Sequence, residues 1–64
     1  MPITLKAARV NAGLTQKEAA KRLGVSNKTI WAWETGNTLP SAKKIKAICE
    51  LYKMPYDSII FFNY

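Results

Sequence analysis

The chain has no histidine and a single cysteine, Cys49. Without histidine it lacks both the side chain that most often moves protons near neutral pH and the commonest nitrogen ligand for zinc. One thiol cannot close an internal disulfide, which fits a reducing cytoplasm. Acidic residues are scarce as well: four Asp and Glu, scattered along the chain, stand against ten Lys and Arg. General acid–base work is poorly supplied, and no glycine-rich loop follows a strand pattern. The sequence therefore predicts a protein that is not an enzyme and uses no metal and no cofactor. Long apolar runs are also missing. Nothing approaches the roughly 20 residues that cross a bilayer, and the N-terminus lacks the basic-then-apolar layout of a signal peptide. A soluble, cytoplasmic protein with no membrane partner is expected.

What is present is an ordinary folding composition with a strong positive charge. Hydrophobic residues make up 48% of the 64 positions, as in a globular domain. One domain over residues 1–64 is expected, near the size at which a single core holds a fold with little to spare. The formal net charge of +6 is the footprint of a nucleic-acid or anionic-surface binder. Because the charges are not gathered opposite one apolar stripe, a membrane-surface peptide is disfavoured.

Glycine and proline punctuate the chain into five helix-like segments. Gly13, Gly24 and Gly36 mark helix ends, and Pro2, Pro40 and Pro55 mark beginnings. Thr4 caps a first segment, "TLKAARVNA", whose stripe is Leu5, Ala8 and Ala12, with Arg9 beside it. Thr15 and Glu18 of "TQKE" form a capping box that opens the second, with Ala19, Ala20 and Leu23 as its apolar face. Only "GV" separates that segment from Ser26, the cap of a third that ends at Thr35–Gly36. Ser41 caps a fourth with Ala42, Ile45, Ile48, Cys49 and Tyr52 at helical spacing. Pro55 opens a short fifth, "YDSIIFF".

A helix, a tight glycine-containing turn and a second helix, at about residues 15–35, is the layout that presents a helix to a DNA major groove. With its "AGLTQKE", "LGVS" and "TIWAWETG" blocks, the run "LKAARVNAGLTQKEAAKRLGVSNKTIWAWETGNTLPS" (residues 5–41) resembles the helix-turn-helix regulators of the phage repressor and Cro type, the xenobiotic-response-element family. The resemblance implies an all-α, five-helix, lambda-repressor-like fold. Two positions depart from the family pattern. Ala19 stands where a large aliphatic residue is usual, which loosens the expected packing of helices two and three. Asn37 stands where a basic residue is usual, which weakens one phosphate contact.

Helical geometry divides the third segment. At about 100° per residue, Thr29, Ile30 and Trp33 cluster on one side, and Asn27, Lys28, Trp31, Ala32 and Thr35 on the other. Trp33 is expected in the core. Trp31 either touches a thymine methyl or sugar in the groove or lies, partly exposed, along helix one or two. Ser26, Asn27 and Lys28 at the helix N-terminus are base-contact candidates, Ser26 doubling as the cap, and Ala32 is a candidate for a methyl contact. Gln16, on the apolar side at the start of helix two, either bonds a phosphate or braces the start of helix three, and the resemblance implies the phosphate role. Lys17, Asn37, Thr38 and Lys43 are further phosphate candidates, while the other lysines are expected to be solvated. The resemblance also implies that Arg9 and Glu34 meet as a partly buried ion pair fixing the angle of helix three.

The C-terminal "SIIFFNY" is more apolar than a chain end needs. Ile59 is expected to close the core, leaving some of Ile60, Phe61, Phe62 and Tyr64 either to intramolecular packing or to a two-fold partner. Two readings of function follow. The first is a sequence-specific double-stranded DNA-binding regulator, a repressor of phage or mobile-element type, homodimeric on an inverted repeat and nucleoid-associated when bound. The second is a protein-interaction module on the same fold, such as an antitoxin-like partner, which exposed Trp31 and the apolar C-terminus favour.

Overall fold

Four α-helices, α1 (Leu5–Asn11), α2 (Gln16–Leu23), α3 (Asn27–Thr35) and α4 (Ala42–Tyr52), build the fold in a computed structural model that describes residues 2–61. Each begins at a hydroxyl. Thr4, Thr15, Ser26 and Ser41 are extended, and each side chain accepts a bond from the backbone N–H three residues on, satisfying a donor that the first turn leaves open. The capping box of α2 is complete: the Glu18 N–H donates to Thr15 Oγ1 at 3.1 Å and the Thr15 N–H donates to Glu18 Oε1 at 2.9 Å. That bond from the Thr15 backbone holds the Glu18 carboxyl below its ordinary pKa. Gly24 and Gly36 end α2 and α3 with φ of 71° and 80°, in the left-handed region that glycine enters without a side-chain penalty.

Among the described residues the expected fifth helix does not form. Tyr56–Ser58 make a short 3₁₀ turn, and Ile59–Ile60 form a strand, β2, parallel to a second short strand, β1 (Ile3–Thr4), with Ile3 opposite Ile59 and Thr4 opposite Ile60. The bulk is all-α as expected, with four α-helices rather than five. β-branched isoleucines favour extended backbone, and the lead-in to α1 offers unpaired N–H and C=O groups for them to pair with.

The core gathers between the helices. Ile30 of α3 and Ile48 of α4 are its largest fully enclosed side chains, and α2 packs more extensively on α3 than on any other element. Ala19 is also fully buried, so the small residue at this position is enclosed between the helices. Ala12 leaves the expected stripe and is exposed, because it caps the end of α1 where the chain turns away at Gly13. Phe61 is not left over either: it is buried and stacks on Tyr56 with ring centroids 5.3 Å apart. Ile60 is exposed, whereas Phe62 and Tyr64 lie outside the described residues.

Candidate nucleic-acid interface

The turn Gly24–Val25 sets the start of α3. The Val25 N–H returns to the Ala20 carbonyl at 3.0 Å, and Ser26 then caps α3 by accepting from the Thr29 N–H at 3.1 Å while sharing a second bond with the Thr29 hydroxyl. Ser26 caps the helix and is exposed, so the cap leaves its side chain at the surface. One side of α3 is locked down by burial of Ile30 and Trp33. The other presents Asn27, Lys28 and Thr35, with Trp31 at 48% exposure. Among the described residues neither Asn27 nor Lys28 uses its side chain in a hydrogen bond with the rest of the protein. Thr35 differs, because its hydroxyl donates back to the Trp31 carbonyl at 3.0 Å.

Ala32 corrects the helical division. It is only 8% exposed, at the border of the two faces, and its carbonyl accepts the N–H groups of Asn37 and Thr38 as the chain folds back over the end of α3. A methyl so enclosed is not available to a base edge.

Behind the exposed face lies a polar cluster that joins three helices. Arg9 Nε donates to Glu34 Oε2 at 2.6 Å, its Nη2 reaches Glu34 Oε1 at 3.4 Å, and its Nη1 donates to the Leu14 carbonyl at 2.7 Å. The two side chains are only 8% and 3% exposed, so the pair is more deeply buried than its expected place beside an apolar stripe suggested. Gln16 joins the cluster, with Nε2 donating to Glu34 Oε1 at 3.0 Å. It therefore braces the last turn of α3 instead of its start. The second amide N–H is not used in this bond, and the residue is half-buried.

Burial pushes the Tyr52 hydroxyl of α4 up to about 12, with the negative Glu34 adding to the rise and Arg9 opposing it. A proton held more tightly in the folded state stabilises the fold fully below the unfolded pKa, and that stability is lost as pH climbs through the folded one. Unfolding midpoints are accordingly expected to fall between about pH 10 and pH 12. Chemical denaturation of wild type and Tyr52→Phe across that range measures it, and parallel curves for the two would refute the assignment.

Lys17, Asn37, Thr38 and Lys43 are exposed at the first turn of α2, after α3 and at the first turn of α4. No side-chain bond draws them together among the described residues. Lys44, expected as a solvated charge, is diverted inward: its ammonium donates to the Leu23 carbonyl at 2.8 Å. No local sequence signal marks it, because the acceptor lies on another helix. Among the described residues no group of His, Cys, Asp and Glu is placed to hold a metal, and no helix is long and apolar enough to cross a membrane.

A model of the helix-turn-helix family matches residues 5–59, from the start of α1 into β2. The chain belongs to the helix-turn-helix family. It is the xenobiotic-response-element type, and the helix-turn-helix is a DNA-binding domain. The Type II methyltransferase M.SsoII of Shigella sonnei is 38% identical over 55 residues, covering 81% of this chain and 14% of the methyltransferase. This helix-turn-helix chain thus spans about a seventh of that relative's length. No solved structure matches the chain.

Proposed function

We propose that this helix-turn-helix protein is a sequence-specific double-stranded DNA-binding transcriptional regulator, acting in the cytoplasm as a repressor that occludes a promoter. The observation that carries this reading is the division of α3: one side is fixed by core and ion pair, and the other offers Asn27, Lys28 and Trp31 to solvent. A rigid helix presenting free polar side chains near its N-terminus is what a major groove accepts. Asn27 reads adenine, Lys28 reads guanine O6 or N7, and Trp31 covers a thymine methyl or sugar, with Ser26 at the edge. Gln16, Lys17, Asn37, Thr38 and Lys43 hold phosphates and set the register.

The protein acts as a homodimer joined through its C-terminal apolar segment, each copy reading one half of an inverted repeat about one helical turn apart. It performs no chemistry on the DNA. The methyltransferase relative is matched over the helix-turn-helix, so methyl transfer is not extended to this chain. Selection of bound duplexes from a random pool tests the whole reading. An enriched inverted repeat is the expected product, an enriched single site would remove the dimer, and no enrichment would remove sequence-specific recognition.

Exposed Trp31 also favours a second reading, in which α3 docks on a protein as an antitoxin-like partner would. Trp31→Ser separates the two. With DNA as the target the variant is expected to fold normally and lose operator affinity by roughly tenfold, about 1.4 kcal/mol, in a fluorescence titration. Unchanged affinity would move Trp31 to a protein contact.

A further inference from the structure

We propose that Lys44 is a positioning residue for the recognition helix, acting by capping the C-terminal end of α2 at the turn into α3. This rests on the DNA-binding reading above. Leu23 is the last residue of α2, so its carbonyl has no partner within the helix and sits at the negative end of the helix dipole. Lys44 of α4 answers both deficits at once, placing a cation against that oxygen at 2.8 Å. A charge-assisted bond of this kind is among the stronger single polar contacts in a fold.

Its position gives the bond its role. Gly24, the next residue, is the left-handed turn, and α3 starts at Asn27. Without Lys44, the end of α2 is closed by backbone bonds from Gly24 and Val25 to Lys21 and Ala20, all within the same helix and turn. The lysine ties that corner to α4, so a third helix fixes the direction in which α3 leaves. Base recognition tolerates errors of about 0.5 Å and 10–20°, whereas phosphate attraction tolerates much more. Lys43 and Lys46 flank this position on the same helix and are exposed, while Lys44 is half-buried. The three lysines carry equal charge, and only Lys44 converts it into geometry.

Lys44→Met keeps the stem and removes the cation, and Lys46→Met removes the same charge without touching the turn. Binding of both variants and wild type is measured on a selected operator and on a random duplex, over a range of salt. Lys44→Met is expected to lose roughly tenfold in operator affinity beyond any loss in Lys46→Met. Its random-duplex affinity and salt slope should match those of Lys46→Met, and Lys44→Arg should restore operator binding. Equal operator affinity in the two Met variants overturns the proposal. So does a parallel loss on operator and random duplex with the slope lower by about 0.9, which identifies a phosphate contact. Should wild type prefer no duplex, the DNA reading fails on its own. The capping bond is then judged in the free protein by hydrogen exchange at the Val25 amide: faster exchange in Lys44→Met than in Lys46→Met supports it, and equal rates reject it.

Discussion

Glu34→Ala is expected to destabilise the fold by about 3–5 kcal/mol, because it leaves the nearly enclosed Arg9 guanidinium without its counter-charge. Arg9 and Glu34 are nearly enclosed, and Gln16 loses its acceptor in the same step. A domain this size has roughly 3–10 kcal/mol of stability in total, so the variant approaches the limit of folding. Removal of both charges in Arg9→Met, Glu34→Leu is expected to recover a large share, since an apolar pair of similar bulk incurs no desolvation penalty. Urea unfolding of the two variants against wild type measures the difference. A loss below about 1 kcal/mol in Glu34→Ala would place the pair in the class of solvated surface bridges.

Asn27→Ala combined with Lys28→Ala is expected to lower operator affinity by roughly 2–4 kcal/mol, about 30-fold to several hundredfold, and to erase preference at the bases they read. Both side chains are exposed and, among the described residues, make no internal hydrogen bond, so the melting temperature should stay near that of wild type. Lys43→Ala provides the contrast: affinity should fall evenly across sequences and the salt slope by about 0.9. Unchanged operator binding in the double variant would mean that α3 is not the reader.

Much of this architecture is written locally. The hydroxyls of Thr4, Thr15, Ser26 and Ser41 announce the helix starts, and Gly24 and Gly36 the ends of the two central helices, because caps and left-handed turns depend on residues within one turn of themselves. The exposed side of α3 is legible for the same reason, since a short helix between clear signals has one phase. Ala32 escapes that reading because it sits where the two faces meet, and its carbonyl is taken by the chain returning through Asn37 and Thr38. The end of the chain escapes for another reason. "SIIF" has no period that separates helix from strand, and its partner Ile3 comes from the far side of the sequence. Lys44 is the extreme case: a long, flexible stem finds a carbonyl on a different helix, and nothing near Lys44 in the chain distinguishes it from Lys43.

The pairing of β1 with β2 has a kinetic consequence. Each α-helix and the α2–α3 unit are built from contacts closer in sequence, which form quickly, whereas aligning Ile3 with Ile59 requires closing nearly the entire chain. The strand pair is therefore expected to assemble after the rate-limiting barrier, as a latch on helices already docked. Ile59→Val should leave the refolding rate near wild type and speed unfolding by about the full loss of stability, which stopped-flow chevrons resolve. A refolding rate slowed in proportion would instead put the latch inside the folding nucleus. With closure late, the helix-turn-helix takes shape before the two strands meet, and the latch governs how long the assembled domain lasts.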